Sequence, residues 1–249
     1  MSFIKFFLDQ GEVIRCLTTG YSPISWLEQL LTGLAFVFLK RAMFIFTDRR
    51  ILVVPTSFNR SPHSSVSQIM YEDAAAIALK GRTLLVAYKN GLKETFTYMG
   101  RKEKKKIKAL ISHLPIRPKE AGRLQERSHL CPGCAHVLPK KKQQCQTCGL
   151  TFKNNRAALI MALLIPGGGY FYSGYPLLAL GFAALEILLL SIPAVYWTEF
   201  SKYSGSVTLP TALGSMLLLA LTKWISAFHT MELIKDFMPR RKDFSQRRI

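Results

Sequence analysis

The chain has 249 residues, of which 49% are hydrophobic, and a formal net charge of +19. This length permits one large domain or two to three small ones, and the hydrophobic content is typical of a protein that is part soluble and part membrane-embedded. Four of the five cysteines form two CxxC pairs, a pattern that favours a metal site in a reducing compartment over disulfides. The N-terminal stretch MSFIKFFLDQGE lacks the features of a secretory signal, so we expect membrane insertion through internal helices.

Positive charge is concentrated in the middle of the chain. Residues 100–156 contain 15 Lys and Arg against 3 Asp and Glu. A basic block beside a membrane-spanning segment is expected on the cytoplasmic side, where the positive-inside bias and anionic lipid both favour it. Nucleic acid would attract the same charge, so charge alone does not select a partner.

Residues 1–114 are predicted to form a small β-rich domain that is closed by a helix. Short apolar, β-branched and aromatic runs predict strands at residues 12–19, 42–47, 50–55, 66–71, 74–80, 84–88 and 95–98. The spacing in residues 24–39 favours a helix, either buried against this domain or in contact with a membrane. Residues 102–114 are predicted to be a helix with lysines, among them Lys104 and Lys105, opposite its apolar face.

The series FIFTDRRILVV, IMYEDAAAIAL, TLLVAYKNGLKETFTY and KEKKKIKALI resembles the bacterial PH-like or GRAM-like domains. In those domains an aromatic-x-x-T-(D/N)-x-R strand pair is followed by a meander and a C-terminal helix that plugs the barrel. The resemblance covers residues 11–114 and implies a β-barrel or sandwich that binds lipid or protein rather than a catalyst. The helix-like insert between the first two strands departs from the minimal pattern.

A polar, proline-containing stretch, residues 115–130, is predicted to be a basic linker. The strongest chemical signal follows in residues 131–152, which contain CPGCAHVLPKKKQQCQTCG. Each CxxC can direct two thiolates at one ion, and two such knuckles complete a tetrahedral site; the four candidate ligands are Cys131, Cys134, Cys145 and Cys148. The stretch resembles a compact zinc ribbon. Its filled ligand set indicates structural Zn²⁺, because a catalytic zinc keeps one position open.

Three lysines between the two knuckles, Lys140, Lys141 and Lys142, are candidate contacts to the phosphate of a lipid or a nucleic acid. Lys104 and Lys105 on the predicted helix are candidates of the same kind. The alternative interpretation is that these lysines are only solvated surface residues of the loop and the helix and contact no phosphate.

Residues 153–235 are predicted to form a helical membrane domain. Two apolar runs, 176–197 and 207–231, are each long enough to cross a bilayer and are joined by a short polar loop, which predicts a transmembrane hairpin. A third apolar run, 157–172, is interrupted by Pro166 and three glycines. It is predicted to be a re-entrant or interfacial half-helix whose break must be covered by protein.

The basic residues before this domain and the basic tail, 236–249, both favour the cytoplasm, so an even number of crossings is expected, with both termini cytoplasmic. The segment IPGGGYFYSGYPLLALGF is similar to the PG-x-G-x-x-Y-x-G signature of small bacterial membrane proteins distantly related to TM2-type domains. That resemblance implies an integral protein of a bacterial inner membrane and brings no activity. The acidic residue expected near the end of the second TM2 helix is missing unless Glu232 or Asp236 replaces it.

Two charged residues fall inside the predicted spans. Glu186 lies about ten residues into the first span and Lys223 about nine residues before the end of the second, so both sit ~13–15 Å deep. An unpaired charge at this depth is costly, and the hypothesis is an ion pair that locks the hairpin. The alternative is a protonated Glu186 with Lys223 extended towards the interface.

Catalytic motifs are missing from the sequence: it contains no GxSxG, P-loop, HExxH or dinucleotide fingerprint, and no enzymatic activity is expected. The favoured interpretation is a multidomain α+β membrane protein. It would act as a membrane-anchored, non-catalytic adaptor or scaffold that binds anionic lipid, a protein partner or a second copy of itself. The alternatives are a membrane-tethered nucleic-acid-binding protein, which lacks aromatics in the ribbon for base stacking, and a subunit of an oligomeric transporter or channel.

Overall fold

The computed structural model describes residues 2–23, 40–56, 66–114, 126–139, 143–200, 208–235 and 237–240. The predictions for residues 24–39, for most of the linker and for Lys140, Lys141 and Lys142 lie outside the described residues. The chain divides into two compact units. The first unit is Met1–Phe152 with Asp236–Ile249, and the second unit is Lys153–Lys235.

The first unit is a mixed α+β structure with two antiparallel sheets. Its elements are α1 (Ser2–Lys5), β1 (Ile14–Tyr21), β2 (Arg41–Thr47), β3 (Arg50–Pro55), β4 (Val66–Met70), β5 (Ala74–Lys80), β6 (Thr83–Tyr88), β7 (Lys93–Phe96), α2 (Lys104–Ser112), β8 (Ser128–Leu130) and β9 (Val137–Leu138). One sheet has the order β1-β2-β3-β4-β8-β9 and the other the order β5-β6-β7. Strands β1 to β7 and helix α2 begin and end within two residues of the predicted positions.

The main core of the first unit lies between the two sheets and is closed by α2. Phe44 from the first sheet meets Phe96 from the second edge-on, with ring centroids 5.3 Å apart. Ile107 of α2 is fully buried in the same cluster. Each such side chain contributes about 1.5–3 kcal/mol on burial. Within the described residues the two sheets do not close into a barrel, so the barrel, one of the two predicted forms, is wrong.

The cysteine segment is part of the first sheet. Strand β8 pairs with β4, with Val66 opposite Leu130, and β9 continues the sheet. The predicted linker therefore ends before Ser128. The residues just after the second unit also return to this region, where Pro239 forms an antiparallel bridge with Phe152.

Among its described residues, the second unit has four helices: α3 (Asn155–Leu164), α4 (Gly168–Ser173), α5 (Pro176–Phe200) and α6 (Leu209–Ile234). Helices α5 and α6 are long and apolar enough to span a membrane. Many of their large apolar side chains are exposed, for example Leu177 at 85% and Leu217 at 70%. Helices α3 and α4 are two short pieces separated at the Pro-Gly-Gly-Gly segment, where the sequence predicts a broken half-helix.

Candidate metal centre and buried polar sites

The four predicted cysteine ligands lie together in the first unit. The Sγ atoms of Cys131 and Cys148 are 3.5 Å apart, those of Cys134 and Cys145 are 3.6 Å apart, and all four lie within 4.8 Å of one another. Four sulfurs placed about 2.3 Å from a central ion at tetrahedral corners would be about 3.8 Å apart. A disulfide would need about 2.05 Å. The donor set therefore fits a structural metal site such as a zinc site.

The two CxxC segments form matching turns. The Ala135 N–H donates to the carbonyl of Cys131 at 2.9 Å, and the Gly149 N–H donates to the carbonyl of Cys145 at 3.0 Å. Ala135 and Gly149 occupy the same place in the two turns and both have positive φ, 55° and 70°. The Gly133 N–H also points at the Cys131 sulfur at 3.4 Å. The turns thus supply backbone donors to sulfur, as thiolate ligands require.

The thiols differ in their affinity for a proton. Burial raises the pKa of Cys131 and of Cys134. Burial acts in the same direction on Cys145, but the backbone N–H groups of Cys148 and Thr147 and the neighbouring thiols outweigh it and bring the pKa of Cys145 to about 7. Four clustered thiolates repel one another, so full ionisation at neutral pH requires a cation among them.

An apolar shell surrounds the cysteine cluster. Leu138, Leu150 and Phe152 are buried against Cys131 and Cys145, and Phe237 packs on the same cluster. Such a shell excludes water and competing ligands from a metal–thiolate site.

The second unit contains the charged pair that the sequence suggests. The Lys223 Nζ lies 2.9 Å from Glu186 Oε2, and the Glu186 side chain is completely buried. Lys223 also donates to the carbonyl oxygens of Ala162 at 3.2 Å and Ile165 at 3.1 Å, at the C-terminal end of α3. The Gly167 N–H, at the start of α4, donates to Glu186 Oε2 at 3.1 Å. The two charges therefore satisfy backbone groups on both sides of the α3–α4 break.

Each of the three glycines in the break lies against a different helix. A Cβ at Gly167 would collide with a backbone carbonyl of α5, and one at Gly168 with a backbone carbonyl of α3. A Cβ at Gly169 would collide with the Thr230 side chain in α6. Small residues allow helices to approach this closely in apolar surroundings. The glycines therefore serve packing as well as the turn, where Gly167 has φ of 64°.

A second polar pair in this unit was missed by sequence reasoning. The His229 side chain in α6 is buried, and its Nδ1 lies 2.6 Å from the Tyr170 hydroxyl. Tyr170 is also buried and stacks obliquely on Phe182, with centroids 4.6 Å apart. The available signal is the face of α6 on which Ser226, His229 and Thr230 follow Lys223 at helical spacing.

The threonine and arginine of the T-D-x-R motif belong to a buried ion pair in the first unit. Arg50 donates to both carboxylate oxygens of Glu12, through Nε at 3.0 Å and Nη2 at 2.6 Å. Thr47 donates to the same carboxylate at 2.7 Å, and Arg50 also donates to the Gln68 side chain. Asp48 accepts the Val13 N–H at 3.0 Å. The motif that carries the PH-like resemblance therefore has a structural role here.

The predicted phosphate contacts fall partly within the structure. Lys104 and Lys105 are exposed on the first turn of α2, next to Lys106 and Lys108, which are exposed as well. The lysines between the two knuckles lie outside the described residues. The exposed lysines of α2 therefore form the described part of the candidate anion surface.

No protein-family model and no curated protein matches the chain. Among solved structures, the crystal structure of the C-terminal domain of an unknown protein from Leishmania infantum is similar to 45% of this chain over 93% of its own length, with 16% identity and a TM-score of 0.30. A similarity this distant assigns neither fold nor function.

Proposed function

We propose that the protein is a membrane-anchored, non-catalytic adaptor with a cytoplasmic PH-like module, a structural zinc ribbon and a two-helix membrane anchor. The observation that carries the proposal is the pair of helices α5 and α6, whose large apolar side chains are exposed over the length of a bilayer span. Contiguous exposed apolar surface of this kind needs lipid or a partner to cover it. The anchor then holds the basic first unit beside anionic lipid.

The fold of the first unit supports the PH-like assignment. Seven strands in two sheets precede helix α2, and α2 packs on the core between the sheets. This order agrees with the domains that the sequence resembles. In the proposal the exposed lysines of α2, with Lys104 and Lys105 first, contact the head groups of anionic lipid.

The arrangement of the chain supports two crossings. The chain leaves the cysteine module, residues 128–152, at Phe152 and returns to it at Pro239, and these two residues are bridged. Basic residues flank the helical unit on both sides. In the proposal both flanks lie in the cytoplasm, and the protein resides in a bacterial inner membrane.

Membrane anchoring is tested by fractionating cells. The full chain is expected in the membrane pellet after alkaline carbonate washing, and a reporter at the C-terminus is expected to be active only in the cytoplasm. A chain that stays in the supernatant without detergent would refute the anchor. A reporter active outside the cell would refute the two-crossing topology.

The zinc assignment is tested by metal analysis of the purified full chain. One zinc per chain is expected, because four thiolates complete one tetrahedral site. Cys131→Ser and Cys145→Ser are expected to lose the metal. Cys16→Ser is the matched control, because Cys16 is buried in the core between the sheets and is not part of the four-cysteine cluster. Equal zinc in all three variants would refute the site.

Lipid contact is tested in nanodiscs of zwitterionic lipid with and without phosphatidylglycerol. Acetylation of Lys104 and Lys105 by a water-soluble reagent is expected to slow in the anionic discs and to recover in about 1 M salt, which screens surface charge. Lys80 and Lys93, exposed on the second sheet, are the internal controls. Equal protection of all four lysines would indicate crowding rather than a specific surface.

A second candidate function, a subunit of an oligomeric transporter or channel, is favoured by one observation. Glu186 Oε1 and Ser226 Oγ are buried and have no hydrogen-bond partner among the described residues. Buried ionisable groups at the break of a discontinuous helix are common in transport sites. Ion or proton flux in proteoliposomes that is lost in Glu186→Gln would support this function.

A further inference from the structure

The C-terminal tail adds a short segment to the cysteine module. Pro239 forms an antiparallel bridge with Phe152, and the Arg240 N–H donates to the carbonyl of Thr151 at 3.1 Å. Met238 is 4% exposed. Residues 237–240 are therefore held against residues 151–152 by one isolated bridge and one backbone hydrogen bond, whereas the sequence predicts only a basic tail.

An aromatic contact fixes the start of this segment. The Phe237 ring lies 5.5 Å from the Phe152 ring, edge-on, and 5.1 Å from the His129 ring. Phe237 also has a positive φ of 50°. A bulky residue adopts this conformation only where its surroundings compensate the strain. The docking of Phe237 is thus a specific contact of the module.

The surface that receives the tail is built on the second knuckle. The Cys145 N–H donates to Leu150 at 2.9 Å, and the Phe152 N–H donates to Gln143 at 2.8 Å, so residues 143–152 form a small hairpin whose tip carries Cys145 and Cys148. An isolated two-stranded hairpin is marginally stable in water. Thiolates that share an ion hold such a hairpin closed, and the unloaded segment lacks that constraint.

We infer that residues 237–240 dock on the cysteine module only when its four thiolates hold Zn²⁺, so that the metal clasps the C-terminal tail to the segment that precedes the helical unit. The inference rests on the proposed zinc site and goes beyond it. In this way the cysteine module holds together the two chain segments that flank the helical unit.

The test is hydrogen–deuterium exchange of the full chain in detergent micelles, zinc-loaded and after chelation, with zinc content measured on each sample. Exchange in the peptide that covers residues 237–240 is expected to be about tenfold slower in the zinc-loaded protein, given one backbone hydrogen bond and an aromatic contact. Phe237→Ala is expected to remove this difference while one zinc remains bound. Phe244→Ala, a phenylalanine of the same tail outside the described residues, is the matched control and is expected to behave as the unmodified chain.

Two outcomes would overturn the inference. Equal exchange with and without zinc, in protein that holds one zinc when loaded, would overturn the clasp and leave the zinc site standing. Protein that takes up no zinc would overturn both proposals, and the metal analysis separates the two cases.

Discussion

In the described part of each unit a carboxylate is buried against a cation, and the two pairs are built differently. Each carboxylate oxygen of Glu12 accepts two hydrogen bonds. Oε1 accepts from Thr47 and Arg50, and Oε2 accepts from the Asp9 N–H and Arg50. Only Oε2 of Glu186 is used; within the described part of the chain its Oε1 accepts none. In the first pair both carboxylate oxygens are saturated with hydrogen bonds, two of which come from the planar guanidinium group of Arg50. In the second pair Lys223 acts as a point charge.

The difference indicates what each pair does. The Glu12 pair joins the segment before β1 to β2, β3 and, through Gln68, β4, and both carboxylate oxygens are fully used in hydrogen bonds. The Glu186 pair supports backbone groups at a helix break and keeps one carboxylate oxygen available. The first pair stabilises the fold of the first unit. The second is the pair on which the proposed transport function would depend.

The largest effect is expected from breaking the saturated pair. Glu12→Ala leaves Arg50 buried without its main partner and should destabilise the first unit by about 3–5 kcal/mol. Denaturant unfolding followed by far-ultraviolet circular dichroism measures this change. The reference variant is Glu12→Gln, which keeps acceptor capacity and should lose less. A decrease of less than about 1 kcal/mol in the free energy of unfolding of Glu12→Ala would contradict this stabilising role of the pair.

A smaller effect is expected in the second unit. Lys223→Met leaves a buried carboxylate and two carbonyls without their donor and should cost roughly 1–3 kcal/mol. The double variant Glu186→Gln, Lys223→Met should be more stable than Lys223→Met alone, because it removes the orphaned charge. Reversible unfolding in mixed micelles provides the measurement.

A charge swap of the same pair should fail to restore stability. A lysine at position 186 would face the Gly167 N–H, and a glutamate at position 223 would face the carbonyls of Ala162 and Ile165. Donors would then meet donors and acceptors would meet acceptors. A swap variant as stable as the unmodified chain would show that the backbone contacts contribute little.

The pH dependence of the first unit should follow Glu12. Burial alone would raise the pKa of Glu12, but hydrogen bonds from Arg50, the Asp9 N–H and Thr47, with the charge of Arg50, hold it below its ordinary value of 4.5. The contribution of the pair is therefore complete above pH 4.5 and is lost as the pH falls through the lower pKa of the folded state. Thermal unfolding between pH 6 and pH 3 should show this loss, and Glu12→Gln should show a flatter profile.

The smallest effect concerns the rim of the saturated pair. Asp9 lies 3.1 Å from Arg50, but its side chain is 55% exposed. Asp9→Asn should cost about 0–1 kcal/mol, less in high salt, because solvent screens an exposed partner. A cost comparable to that of Glu12→Ala would mean that the two carboxylates act as one unit.

Strand and helix positions could be predicted closely where regular patterns carry the signal. Strands β1 to β7 alternate or end at turn residues, and the contact between Glu186 and Lys223 follows from helical rise in two antiparallel helices. The four cysteines were identified by spacing alone. These features depend only on residues that are near each other in sequence or on fixed helix geometry.

Other features depend on long-range packing and could not be predicted. Strands β8 and β9 have three and two residues, too few to show alternation, and β8 is defined by its pairing with β4 and β9. Tyr170 and His229 are 59 residues apart and meet only because the α3–α4 break turns the chain. Phe237 contacts Phe152, although the whole helical unit separates the two residues in sequence.

The pairing of β8 with β4 has a consequence for handling the protein without metal. If the cysteine module opens, the outer side of β4 loses its neighbour, and the backbone of Val66–Met70 becomes a bare sheet edge. Bare edges with apolar side chains recruit strands from other chains. Removal of the metal would then appear first as self-association through the first unit, before any loss of secondary structure.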